Sequence, residues 1–178
     1  MLRNTPERYG LVTKCLHWGI ALGIIGILWL GWWMVGLSYY DAWYNRGLAL
    51  HRALGMMVLG LACLLLLWKL ISPSPGLQKE LTPWEKLGAH MAHGLLLLAM
   101  FAIPISGYVI STAAGKGFSM FGLFEIPALL PKSEATRDLA IAAHYYIAYG
   151  LIAVIVLHAG AAIKHQIIDK HGTLKRML

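Results

Sequence analysis

The sequence predicts an all-α membrane protein built as a bundle of four transmembrane helices. Of its 178 residues, 58% are hydrophobic and only 13% are charged, whereas soluble domains average about 45–50% apolar and about 25% charged residues. The mean hydropathy is +0.63. Four apolar segments, each longer than the roughly 20 residues that a helix needs to cross a bilayer, make up most of the chain. We expect them to form a single transmembrane domain over residues 1–178.

The four predicted spans are separated by polar connections. The first covers residues 15–38 and follows a polar start without a small-residue cleavage site, so we expect it to be retained. The second covers residues 48–71. The third covers residues 87–112 and contains Pro104, which should kink it. The fourth covers residues 139–162.

Two connections carry signals of their own. Before the third span, the run Thr82-Pro83-Trp84-Glu85 predicts a capped helix start with proline at the first position. The connection between the third and fourth spans is the longest and contains the apolar run MFGLFEIPALL. That run is too short to cross a bilayer, so we expect it to lie on the membrane surface or to cover the bundle.

Charge predicts the orientation. An even number of spans puts both termini on one side, and ten of the 15 lysines and arginines lie on that side. The positive-inside rule then places both termini in the cytoplasm. Because the basic residues flank the spans, the net charge of +7 is assigned to topology and lipid headgroups, not to nucleic acid. Two cysteines without CxxC context indicate neither disulfides nor covalent haem.

Four histidines lie in the spans at two depths. His144 and His158 are 14 residues apart, so they share one helix face and are separated by about 21 Å along the axis. One therefore lies near each surface of the hydrocarbon core. His17 opens the first span on the side of the termini, and His51 opens the second span on the opposite side. Depth alone pairs His17 with His158 and His51 with His144.

Histidines paired in this way fit a redox cofactor. Two neutral imidazoles from facing helices saturate a haem iron, which favours electron transfer over oxygen binding. The sequence thus predicts two b haems inside the bundle, with His17, His51, His144 and His158 as axial ligands of the iron. Small residues near these positions leave room for a macrocycle: Gly19, Gly23, Gly55, Ala161 and Ala162.

Further residues can contact such cofactors. Arg46 and Arg52 flank His51 and can pair with haem propionates, since arginine suits carboxylates. His90 and His93 share a face of the third helix near the termini, where they can contact the inner haem or a quinone. His93 is the main alternative to His17 as a ligand. His171 is placed in an exposed tail, without a role.

Other interpretations stay open on the residues alone. A single histidine at a membrane end is commonly interfacial, and regularly spaced glycines also occur in ordinary close helix packing. The residues are also compatible with a different class of protein, a haem-free transporter or a haem-free structural bundle. A zinc-type metal site is a closer competitor, but it would gather imidazoles at one depth, not two.

The order and spacing of these motifs resemble the bacterial cytochrome b561 family over essentially the whole chain. The matching features are the pair His17-Trp18, His51 opening the second span, the run AHMAHGLLLL and the His144–His158 spacing. The resemblance implies a four-helix di-haem b protein of the bacterial inner membrane, related to the haem subunits of formate dehydrogenases and nickel-iron hydrogenases. The axial ligands that it implies are the same four histidines.

Two functions are compatible with the predicted architecture and with this resemblance. A lipid-soluble quinone is the natural partner for a small haem protein without soluble domains. The resemblance implies an oxidoreductase that takes electrons from superoxide at the outer face and passes them to ubiquinone; the alternative is a haem-bearing anchor that carries electrons for a separate dehydrogenase or hydrogenase. An outer basic patch would attract an anion, although four outer acids reduce its net charge to +1. The patch consists of Arg46, Arg52, Lys116, Lys132 and Arg137.

Overall fold

The structure, a computed structural model that describes all 178 residues, contains four long helices. They are α1 (Leu11–Val35), α2 (Tyr44–Ile71), α3 (Pro83–Thr112) and α4 (Glu134–Ile167). Each is long and apolar enough to cross a membrane, which confirms the predicted four-helix architecture. Helix α1 packs against α2, α2 against α3, and α3 most extensively against α4.

The helices extend further than the apolar segments that predicted them. Helix α4 has 34 residues, or about 51 Å at 1.5 Å per residue, so its polar ends project beyond a hydrocarbon core of about 30 Å. A capping side chain, not the membrane boundary, sets its start, because the Ser133 hydroxyl accepts a hydrogen bond from the Thr136 amide. Helix α1 instead starts and ends three or four residues earlier than the predicted span of residues 15–38.

The start of α3 has the predicted cap. Thr82 and Glu85 form a reciprocal capping box, and Pro83 occupies the first helical position. The helix continues through Pro104 to Thr112 without interruption. This continuity brings the residues around Pro104 against the first third of α4, where they contact a histidine described below.

A small β-hairpin, absent from the all-α prediction, occupies the long connection between α3 and α4. Strands β1 (Phe118–Met120) and β2 (Phe124–Ile126) pair antiparallel. The turn between them holds Phe121 and Gly122 at φ of 53° and 77°, as a tight hairpin turn requires. The sequence predicted a segment that lies on the membrane surface or covers the bundle, but it did not predict the hairpin, because Phe-Gly is a weak turn signal.

The hairpin covers one end of the bundle. Phe118 is buried against α2, and the Arg52 guanidinium lies 5.9 Å from the centre of its ring. The hydroxyl of Tyr108 on α3 donates to the Pro127 carbonyl and accepts from the Leu129 amide. We call this end of the bundle, which carries the hairpin and the connection between α1 and α2, the loop face. The opposite end is the terminal face.

Both termini meet at the terminal face. The Trp18 indole donates to the Met177 carbonyl at 3.0 Å, and the Arg176 guanidinium donates to the Glu7 carbonyl at 2.9 Å. The C-terminal tail ends in a short 3₁₀ turn over Leu174–Arg176. The two termini thus lie on one side of the bundle, as an even number of spans requires.

Asn4 anchors the N-terminal segment to this face. Its side-chain oxygen accepts hydrogen bonds from the Gly10 amide and from the hydroxyl of Thr13, and its side-chain amide donates to the Ser72 carbonyl. Its backbone amide also donates to the Ser72 hydroxyl at 2.9 Å. Thr13 and Ser72 are 4% and 2% exposed; the Thr13 hydroxyl also accepts a hydrogen bond from the Trp68 indole, but Asn4 provides the acceptor for its proton.

Replacing Asn4 by alanine is expected to lower the free energy of unfolding by about 1–3 kcal/mol, because buried polar groups lose their partner. The measurement is thermal or denaturant unfolding of the purified protein in detergent, followed by tryptophan fluorescence. Asn45→Ala is the matched control, since Asn45 is exposed on the loop face and should unfold like the parent. Equal stability of Asn4→Ala and Asn45→Ala would contradict the anchoring role.

Candidate functional site

The structure brings the four span histidines together in two pairs. The His17 and His158 rings have centroids 6.4 Å apart, joining α1 to α4 at the terminal face. The His51 and His144 rings have centroids 6.1 Å apart, joining α2 to α4 at the loop face. These are the partners that depth along the sequence predicts. Helix α4 contributes one histidine to each pair.

A third imidazole lies beside the terminal-face pair. The His93 ring on α3 is 5.3 Å from the His158 ring, in an edge-to-face contact. His93 and His17 therefore both lie beside His158. The sequence had named these two histidines as the alternative partners of His158 in binding a haem. His90, one turn earlier on α3, is exposed at the terminal face.

Glycines give the loop-face imidazoles room. A Cβ atom added at Gly31 would lie 3.0 Å from the His51 Cε1 atom, and one at Gly107 would lie 3.3 Å from the His144 Cε1 atom. Contacts this short are tighter than a real side chain normally makes, so larger residues would push the imidazoles aside. Helices α1 and α3 thus approach the two rings closely only because these positions are glycine.

The two loop-face histidines have different hydrogen-bond partners. The His144 Nδ1 atom lies 3.1 Å from the carbonyl oxygen of Ile103, just before Pro104, and 3.0 Å from the Ser106 hydroxyl. Donation from Nδ1 to that carbonyl would leave Nε2 unprotonated, the form that binds a metal. The His51 Nδ1 atom is buried without any hydrogen-bond partner in the chain. Unpaired buried nitrogens are uncommon in folded proteins.

These observations fit a haem held between each pair. Metal–imidazole bonds measure about 2.0–2.1 Å for zinc, and two bonds of similar length plus the two ring radii approach the centroid separations of 6.1 and 6.4 Å. A Cβ added at Gly19 or Gly55, near His17 and His51, would meet nothing within 4 Å. No other part of the chain therefore crowds these two positions.

The pair separation also bears on the choice between His17 and His93. At 5.3 Å, the His93–His158 contact leaves less room for an iron atom than the 6.4 Å of His17–His158. We therefore predict that His17→Ala loses the terminal-face haem, while His93→Ala retains it. Haem content and the low-spin absorption spectrum of each purified variant provide the measurement. The reverse pattern would assign the ligand to His93.

The predicted propionate contacts lie at the loop face. Arg52 is half-buried, and besides its contact with the Phe118 ring its guanidinium donates to the Leu48 carbonyl at 3.4 Å. Arg46 is exposed, with its guanidinium 5.9 Å from the centre of the Trp43 ring. Both are thus on the same side of the bundle as His51, and contact with propionates stays a prediction.

A polar cluster at the terminal face was not predicted from the sequence. Lys164 near the end of α4 bridges Glu85 of α3 at 2.9 Å and Asp169 at 2.8 Å. Hydrogen bonds from Lys164 and His165 lower the pKa of the Asp169 carboxyl below its ordinary value, which keeps it ionised. His171 stacks on His165 and is half-buried, so its placement in an exposed tail was wrong. The four-residue spacing of His165 and Asp169 was the available signal.

A four-helix membrane bundle whose histidines face one another in pairs has the architecture of a membrane-bound b-type cytochrome. Comparison with known proteins agrees, since the family model for prokaryotic cytochrome b561 matches residues 8–178. The chain belongs to the prokaryotic cytochrome b561 family. It is accordingly a multi-pass bacterial membrane protein of a haem b-binding, electron-transferring family.

Curated relatives support the same family. The chain is 45% identical over 175 residues to cytochrome b561 homolog 2 of Escherichia coli (strain K12), covering 98% of this chain and 93% of that protein. It is 30% identical over 178 residues to a protein of Yersinia pestis named "Probable superoxide oxidase CybB", covering 97% and 96%. It is also 29% identical over 181 residues to cytochrome b561 homolog 1 of Escherichia coli (strain K12), covering 97% of both proteins.

Proposed function

We propose that this chain is a di-haem b oxidoreductase that moves electrons from superoxide at the loop face to ubiquinone. The observation that carries the proposal is the pairing of histidines at two depths on α4, which offers one bis-histidine site near each face. The relative named a probable superoxide oxidase, 30% identical along nearly its whole length, supports superoxide as the donor.

The proposed route runs along α4. Haem bound at each pair would supply a one-electron carrier, and His144 and His158 on one helix face place the two sites about 21 Å apart along the axis. His17, His51, His144 and His158 would hold the two irons by their imidazole nitrogens. Because both sites would be six-coordinate, the chain would favour outer-sphere electron transfer over oxygen binding.

The reaction balances in electrons and protons when two superoxide anions are oxidised for each ubiquinone that is reduced. Two superoxide anions each lose one electron and leave as dioxygen. One ubiquinone gains the two electrons and two protons and leaves as ubiquinol. The arginines at the loop face, Arg46 and Arg52, would attract the anion and could also hold propionates.

Protons would enter at the terminal face, and the proposed orientation puts this face in the cytoplasm because the positive-inside rule favours it. Titratable side chains gather there at the end of α4, with Lys164 and His165 beside Asp169. His90 and His93 of α3 are on the same side of the bundle and are the proposed contacts for the quinone or the adjacent haem. Groups of this kind can pass protons to a bound quinone.

Anaerobic mixing of the purified, oxidised protein with potassium superoxide tests the donor. We expect rapid growth of the reduced b-haem α-band, abolished by superoxide dismutase, followed by reoxidation when ubiquinone-1 is added. His144→Ala should slow the reduction strongly, because the loop-face site would be lost. The matched control Asn45→Ala should react like the parent.

Absence of superoxide-dependent reduction would overturn this proposal. Stable co-purification of the chain with a soluble dehydrogenase or hydrogenase subunit that reduces its haems would then favour the anchor function. Reduction by superoxide without reoxidation by ubiquinone-1 would retain the donor and exclude ubiquinone as the acceptor.

A further inference from the structure

Three side chains that can bind a metal ion meet at the terminal face, outside the two histidine pairs. His165 and Asp169 lie at the end of α4, and His171 folds back onto them from the tail. One ligand atom from each lies within 4.8 Å of the others. The His165 Nδ1 atom is 2.6 Å from the Asp169 carboxylate, and these two side chains are only 12% and 20% exposed.

The tail holds His171 in position by its backbone. The His171 amide donates to the His165 carbonyl at 2.8 Å, and its own carbonyl accepts from the Gln78 side chain at 2.6 Å. On either side of it, Lys170 and Gly172 have φ of +57° and +71°. A non-glycine residue such as Lys170 adopts this region only when surrounding contacts hold it there.

The His171 imidazole is stacked but incompletely bonded. Its ring lies 5.9 Å from the His165 ring with an angle of 12° between the planes. Its Nδ1 atom is buried and has no hydrogen-bond partner in the chain. Buried nitrogens without a partner are uncommon in folded proteins, and this one belongs to an imidazole stacked on His165.

The charges around the cluster also allow a cation to enter. The nearest positive group is Lys164, whose Nζ atom is 2.8 Å from Asp169 but also 2.9 Å from Glu85. Lys164 can therefore keep one carboxylate partner if a metal ion takes the other. Glu85 already contacts Lys164 and would remain its carboxylate partner.

We propose that His165, Asp169 and His171 form a binding site for a divalent cation of the zinc type. Two imidazoles and a carboxylate are common zinc ligands, and a set of three leaves a fourth position for water. With bonds of about 2.0–2.2 Å, two ligand atoms on a tetrahedral ion are roughly 3.3–3.6 Å apart. The side chains, whose ligand atoms lie within 4.8 Å of one another, must therefore close by up to roughly 1.5 Å. The site shares His165 and Asp169 with the proposed proton entry, but zinc binding does not require electron transfer, so the two proposals can fail separately.

Equilibrium dialysis of the purified, haem-loaded protein against zinc ions, with metal analysis, tests the site. We expect one zinc per chain in addition to the haem iron. His171→Ala and Asp169→Asn should each weaken binding by more than the roughly 10–100-fold that loss of a second-shell partner costs. Glu80→Gln is the matched control, an exposed carboxylate on the same face, and should bind like the parent.

Two further measurements separate a ligand role from a structural one. Lys164→Met removes the competing cation, so it should bind zinc at least as tightly as the parent, although it breaks the same ion pairs. X-ray absorption at the zinc edge of the parent should reveal two imidazole ligands. Absence of stoichiometric zinc, a site without imidazoles, or binding unchanged in both His171→Ala and Asp169→Asn would overturn the proposal.

Discussion

His158→Ala is expected to lose the terminal-face haem and keep the loop-face haem, and His144→Ala is expected to do the reverse. The reason is geometric, because α4 contributes one imidazole to each pair and the pairs lie at opposite ends of the bundle. Removing one imidazole would leave the proposed haem at that site with a single protein ligand, while the other pair would keep both of its imidazoles. Haem content should fall from two towards one per chain in each variant.

Redox titration followed by absorption spectroscopy distinguishes the two variants. Each should retain a single low-spin component, and the two retained components should have different midpoint potentials because their surroundings differ. His171→Ala is the histidine control, since this residue lies in the tail away from both pairs, and it should keep both haems. If His144→Ala and His158→Ala both kept two unaltered haems, the ligand assignment would be wrong.

Gly31→Val should have the second-largest effect, the loss of the loop-face haem without any change to a ligand. A Cβ at this position already lies 3.0 Å from the His51 Cε1 atom, and the two methyl groups of valine add bulk beyond it. The His51 imidazole must therefore move, which changes its position relative to His144, or α1 must move away from α2. Either displacement spoils a coordination that tolerates little change in bond length.

Gly26→Val separates this clash from a general cost of valine in α1. A Cβ at Gly26 meets nothing within 4 Å, and the residue lies on the same helix, so helix propensity changes equally in both variants. We expect Gly26→Val to retain two haems and Gly31→Val to retain about one. Equal haem content in the two variants would show that the close approach to His51 has no role in haem binding.

Much of the pairing was predictable because helix geometry converts sequence spacing into depth. The apolar segments give the number of spans, their alternation gives the direction of each, and the position of a histidine within its span gives its distance from a surface. His17 therefore falls beside His158, and His51 beside His144, without any knowledge of which helices touch. Capping chemistry was equally local, since Thr82 and Glu85 lie three residues apart.

Features that depend on lateral packing were not predictable in this way. Depth cannot choose between His17 and His93, because both lie near the terminal face and only the packing of α1 and α3 around α4 sets their distances to His158. The same limit applies to Gly31, whose contact with His51 joins two different helices. The sequence indicated small residues close to the predicted ligands, but Gly31 was not among them.

The structures of the C-terminal tail and of the long connection between α3 and α4 were not predicted, for a different reason. Their structure comes from long-range contacts of short polar or mixed segments. His171 is held by bonds to Gln78 and to His165, and no local pattern indicates them. The position of the β-hairpin depends on the burial of Phe118 against α2, beside Arg52.

A pyridine haemochrome assay of the purified parent protein, combined with its low-temperature electron paramagnetic resonance spectrum, tests the central claim most directly. Two paired-histidine sites predict two b haems per chain, both low-spin with the signature of two imidazole ligands. A chain that binds no haem, one haem, or haem with a high-spin five-coordinate iron would contradict the assignment of His17, His51, His144 and His158.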